Sequence, residues 1–260
     1  MSTQGVAPLS QTFDSIGVFA KSMAETAMVY DALVDDAQRV TSTYEITEQS
    51  ARKLLQGLRI GRLAQHELKD VQADIVKAYE TTLAFFESVG AHITTLELPC
   101  SIADLAPVAI NIMVTEGAAA YGALAMDLTK PMDSGIRPRL QAGAKLLATD
   151  YIAALDKQTL LKKQFTKALE HIDIFATPTG LTTAVPLTEV NPTAPPVHFT
   201  RIFNVLDMCG VSVPVGLDTQ NLPIGFQLGA KGGQDAFLIE VATAFQVLTQ
   251  FHLESPKPHS

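Results

Sequence analysis

The chain has 260 residues, 47% of them apolar and 18% charged, which excludes a disordered polymer and allows a sizeable buried core. Its formal net charge is −8, so its surface would repel a phosphate backbone, and nucleic acid is not an expected partner. Cys100 and Cys209 lie too far apart for a disulfide framework, residues 1–10 lack a signal-peptide pattern, and no apolar run is read as reaching the ~20 residues that cross a bilayer, so a cytoplasmic chain without membrane contact is expected.

The first predicted helix follows Ser22. Ser22 and Glu25 have capping-box spacing, and Met23, Ala27, Tyr30 and Val34 recur at helical intervals. A polar stretch is expected from Asp35 and Asp36 to about Gln49. Residues Leu58–Leu63 read as a strand. Val71, Ile75, Ala78, Tyr79, Thr82, Phe86 and Val89 form one helical stripe that Gly90 stops, and Ala91–Leu98 reads as a second strand. Strand, helix and strand with short joints predict a parallel βαβ unit.

The segment from Ile102 to Asp127 is apolar and helical in character, with Pro107, Gly117 and Gly122 arguing against one unbroken helix. Residues Pro131–Pro138 read as a loop, and a long helix is predicted from an N-cap at Thr149 to about His171. A short strand over Ile172–Ala176 leads into Thr177, Pro178, Thr179 and Gly180. A loop stiffened by Pro186, Pro192, Pro195 and Pro196 follows. Val211–Leu217 and Pro223–Leu228 predict an antiparallel pair, and Gln234–Thr249 a closing helix with Phe237, Val241, Ala244 and Leu248 on one stripe. The whole is an α/β fold: a mixed β-sheet flanked by helices on both faces.

Motifs alone yield no reaction. There is no G-x-S-x-G elbow, P-loop or H-E-x-x-H, and the six histidines are scattered. Neither metal nor cofactor is expected. Ser50 and Lys53 have S-x-x-K spacing, but the companion motifs of that enzyme class are absent. Cys209 sits near Asp207, whose charge would raise its thiol pKa, so it reads as structural.

The order of six blocks carries more. Gly5 to Gly17 with Lys21 and Ser22, Ser134 to Gly143 with Asp150, Tyr151 and Ala154, and Phe175 to Thr179 resemble successive segments of amidase-signature enzymes. So do Phe199 to Asn204, Val211 to Gly216 with Leu222 to Gln227, and Gly233 to Phe245. The resemblance implies hydrolysis of carboxamide C–N bonds by a Ser, a second Ser and a Lys. In the family those residues precede the first matched block, within or upstream of a Gly- and Ser-rich loop, and no Gly-Gly-Ser-Ser string occurs here.

Residues 1–260 are therefore expected to form a single partial amidase domain, the C-terminal part of an incomplete amidase-signature fold, inactive alone. Two alternatives stay open: half of a split amidase completed by an N-terminal amidase fragment, and a non-catalytic module that binds a small amide or a protein. The resemblance offers no catalytic residue here, but implies pocket-wall contacts from Thr179, Arg201, Asn204 and Asp207. Asp207 replaces the small residue common in the family. Pro214 should mark an edge or bulge of its strand, and Gly216 and Gly225 should admit a close backbone. Unpartnered edges would favour self-association.

Overall fold

The computed structural model describes residues 1–35, 38–40, 46–191 and 195–254. Asp36 of the expected polar stretch and Pro192 of the expected loop lie outside them.

Helix α1 (Met23–Leu33) starts where its cap predicts: Ser22 Oγ accepts from the Glu25 amide at 3.2 Å, and the Glu25 carboxylate accepts from the Ser22 amide at 3.1 Å. Helix α2 (Glu48–Leu55) interrupts the expected polar stretch. Its signal is only two apolar positions, Ala51 and Leu55, both fully buried. Strand β1 (Arg59–Arg62), helix α3 (Ala73–Ser88) and strand β2 (His92–Thr95) form the predicted unit, with Arg59 opposite His92 in a parallel register. Gly90 ends it at φ +94°, a conformation that disfavours any side chain.

The middle departs most from expectation. A 3-10 turn (Ile102–Asp104) runs straight into α4 (Leu105–Met126), one unbroken helix. Pro107 stands in its first turn, where no amide bond is owed. Gly117 lets α5 (Arg137–Gly143) approach: a Cβ there would stand 2.9 Å from Leu140 Cδ2. Pro138 thus belongs to a helix and not to a loop. Helix α6 (Ala148–Ala168) is capped at Leu147 and not at Thr149. Ile102–Met126 is also long and apolar enough to cross a membrane, correcting the sequence reading. It behaves here as a core helix, packed against α5 and α6 with Leu105, Val108, Ala109 and Ile112 buried.

Strand β3 (Ile174–Pro178), helix α7 (Arg201–Leu206), strands β4 (Met208–Leu217) and β5 (Pro223–Lys231) and helix α8 (Asp235–Thr249) complete the fold. The sheet order is β2-β1-β3-β5-β4, parallel from β2 to β3 and antiparallel beyond. Pro214 sits as expected on the edge strand, beside a register shift between Pro214 and Leu217.

Side chains alternate across the sheet, so Phe226 and Gly229 face opposite ways. Phe226 packs on Tyr79 and Phe86, and Phe86 on Phe245, which fixes α3 and α8 on one face. On the other face Phe203 fills the hollow left by two glycines. A Cβ would meet its ring at 3.0 Å from Gly210 and at 2.3 Å from Gly229. Behind α7 lie α4 and α6, and Gln158 Nε2 donates to the Val205 carbonyl at 3.0 Å.

Candidate functional site

On the α7 face of the sheet, Thr177 of β3, Gln227 of β5 and Ser212 of β4 stand in one cross-strand row. One step along, the Thr179 amide donates to the Gly225 carbonyl at 3.1 Å. Gly225 has no side chain, and a Cβ there would lie 2.7 Å from Thr179 Oγ1 and 2.9 Å from Ser212 Oγ. The two hydroxyls meet across that gap at 2.6 Å. Gly225 thus admits side chains and not the backbone that its sequence suggested, while nothing approaches the position of a Cβ on Gly216, whose φ is +121°. Gln227 is only 5% exposed, yet its Oε1 has no hydrogen-bond partner among the described residues.

Thr179, Ser212 and Gln227 line a cavity of about 540 Å³ that also touches Ile16–Ser22 and Thr200. Thr200 borders a second cavity, of about 700 Å³, lined by Phe13, Ala109, Met113, His198, Arg201 and Asn204. Asn204 Nδ2 donates to the Phe13 carbonyl at 3.0 Å and so ties the N-terminal segment to α7. Burial pushes the Arg201 guanidinium below its usual pKa, and no ion pair holds it among the described residues. Burial also lowers the His198 pKa, against the pull of Glu67.

The structure therefore brings Arg201 and Asn204 together and joins them to Thr179 through Thr200. It places Asp207 apart. Asp207 ends α7 at φ 52° and pairs with Lys162 at 2.5 Å, beside a third cavity of about 460 Å³. Ser212 and Gln227 escaped the sequence reading. The available signal was polarity on the same alternate positions of both strands, in runs otherwise apolar.

The other candidates have structural duties. Ser50 caps α2, accepting from the Thr47 amide at 2.9 Å and donating to the Thr47 carbonyl at 3.0 Å. Burial pushes the Cys209 thiol up to about 11, with Asp235, and not Asp207, as the charge that adds to it.

The wall of the larger cavity hangs on one carboxylate. Glu116 of α4 accepts from Ser10 Oγ, from the Thr12 amide at 3.1 Å and from Tyr151 Oη at 2.8 Å. Burial works against its ionisation, but the hydrogen bonds from Ser10, Thr12 and Tyr151 outweigh it and hold the pKa below the ordinary value. A depressed pKa stabilises the fold above the unfolded value, and the gain is lost as pH falls through the folded one. Melting temperature is therefore expected to drop between about pH 5 and 3, with a shallower slope in Glu116→Gln. Equal slopes in thermal melts of the two proteins would refute the clamp.

Comparison with known proteins agrees with this architecture. The Amidase family profile matches residues 1–239. The A chain of the glutamyl-tRNA(Gln) amidotransferase of Carboxydothermus hydrogenoformans is 27% identical over 99% of this chain, which spans 59% of that protein. Its counterpart of the same name in Thermosynechococcus vestitus is 28% identical, with 99% and 60% covered. A crystal structure of an amidase superposes with a TM-score of 0.80 at 19% identity, over 95% of this chain and 56% of that one. A peptide amidase bound to the competitive inhibitor chymostatin gives 0.74 at 23% identity, over 100% and 58%. The chain spans about three-fifths of the length of the curated relatives it matches. With the family profile covering residues 1–239 and the mixed sheet of its solved members reproduced, the chain belongs to the amidase family, the amidase-signature group related to hydrolases of carbon–nitrogen bonds.

Proposed function

We propose that residues 1–260 supply the sheet and pocket wall of a cytoplasmic carboxamide hydrolase, and that the Ser–Ser–Lys centre comes from polypeptide outside these residues. The observation that carries this reading is the Thr179–Ser212 pair. Its hydroxyls face an open cavity and bond to each other, and no Lys or His among the described residues hydrogen-bonds to either. A nucleophile needs a base within reach, so the pair is a wall and not a catalytic centre. The absence of a Gly-Gly-Ser-Ser string in the sequence supports the same reading.

In this reading the reacting amide lies at the Thr179 end and the rest of a small substrate fills the larger cavity. Arg201 and Asn204 contact it there, whereas Asp207 secures the start of β4 through Lys162. Strand β4 ends the sheet order, so its outer edge is where an N-terminal amidase fragment would dock. A second copy of the chain is the competing occupant of that edge.

The test follows ammonia release from a panel of small carboxamides. The folded chain alone is expected to give none. Addition of an amidase segment carrying the Lys and the Gly/Ser-rich loop should produce turnover. Hydrolysis by the chain alone, persisting through repeated purification, would overturn the proposal and make Ser50→Ala and Cys209→Ala the next variants.

A further inference from the structure

We infer that the Gln227 carboxamide, beside the Thr179–Ser212 hydroxyl pair, reads an uncharged primary amide in the smaller cavity. Gln227 is 5% exposed with an unpartnered Oε1, and native folds rarely keep a buried acceptor unsatisfied without a reason. Its neighbours on the same strand face are Gly225 and Gly229. Over Gly229 lies Phe203, and over Gly225 the two hydroxyls. The carboxamide is therefore left in a polar hollow of the cavity wall between them.

The chemistry of the hollow selects its ligand. Oε1 wants an N–H donor, and the Gln227 Nε2 and the hydroxyls offer hydrogens to an acceptor. An amide supplies both functions at adjacent atoms. A carboxylate can only accept and an ammonium can only donate. The row of Thr177, Thr179, Ser212 and Gln227 carries no charge that would favour either ion. This inference rests on the carboxamide-hydrolase reading and adds the residue that recognises the amide.

The test uses the isolated chain and nuclear magnetic resonance. The side-chain NH₂ signal of Gln227 is assigned by its loss in Gln227→Met, an apolar substitution of similar shape. Propionamide is expected to shift that signal saturably, while propionate and N,N-dimethylpropionamide leave it in place. Gln227→Met should keep the fold and weaken propionamide binding about tenfold, the loss of one to two hydrogen bonds. Propionamide shifts confined to the Arg201 cavity would overturn the inference and leave the carboxamide reading standing. No shift anywhere, as from a hollow filled by solvent only, would overturn both. An equal response to propionate would overturn the claim of amide selectivity.

Discussion

Phe86→Ala is expected to remove about 3–5 kcal/mol from the unfolding free energy, the range for emptying a buried aromatic site. Phe86 has no exposed surface, and its ring centroid lies 5.3 Å from Phe245 and 6.1 Å from Phe226. Phe226 in turn meets Tyr79 at 5.5 Å, and Phe85 meets Phe245 at 5.5 Å. The ring thus joins α3, β5 and α8, and truncation opens a hole where three elements meet. Domains of this kind carry only about 5–15 kcal/mol in total, so the variant would lie close to unfolding. Urea denaturation measures the loss. Phe19→Ala is the control: that side chain is fully exposed, and its removal should move stability by under about 0.5 kcal/mol. A loss below about 1 kcal/mol at Phe86 would mean that the three elements are not packed as described.

The second large effect has the opposite sign from helix propensity. Gly143→Ala should be favoured by about 1 kcal/mol if only propensity mattered. Its Cβ, however, would fall 1.9 Å from the Val114 carbonyl oxygen and 2.5 Å from the Val114 carbonyl carbon. Those atoms are backbone of α4 and cannot turn aside as a flexible side chain would. Helix α5 must therefore move off α4, at a cost of about 1–3 kcal/mol. Gly122→Ala supplies the contrast, since its Cβ would meet only Ala118 Cβ at 4.0 Å and propensity should win there. Thermal melts are expected to shift down for Gly143→Ala and up for Gly122→Ala. Shifts in the same direction would refute the close contact. Because α5 also carries Arg139 to the larger cavity, the first variant should disturb that cavity as well.

The parts of the fold that were legible in the sequence are those where one local rule decides. The capping box at Ser22 and Glu25, the stripe from Val71 to Val89 and the Gly90 stop each gave the right element at the right place. The turn around Asp218 likewise announced the β4–β5 pair. Where tertiary packing overrides local cost, the sequence misled. Gly117 reads as a breaker, yet it is the close-approach point for Leu140. Pro138 reads as loop and sits in the first turn of α5.

The candidate site divides along the same line. Thr179 could be placed because it follows a strand end. Arg201 and Asn204 came from the family resemblance, and their shared cavity depends on α7, a helix of 6 residues too short to show periodicity. Ser212 and Gln227 become neighbours of Thr179 only through strand register, which one strand read alone does not reveal.

The position of the α4–α6 layer has an evolutionary consequence. It leaves the sheet after β2 and returns at β3, and β3 pairs with β1 in the same sheet. To the sheet, the whole layer is a single connection whose two ends are already fixed. Doubling the length of such a connection adds only about 0.6 kcal/mol of closure entropy, so the layer can be lengthened, shortened or exchanged while strand pairing persists. The layer also forms one wall of the larger cavity, through Ala109 and Met113. Substrate range can therefore diversify by rewriting helices, while the strands that hold the amide-binding row descend unchanged.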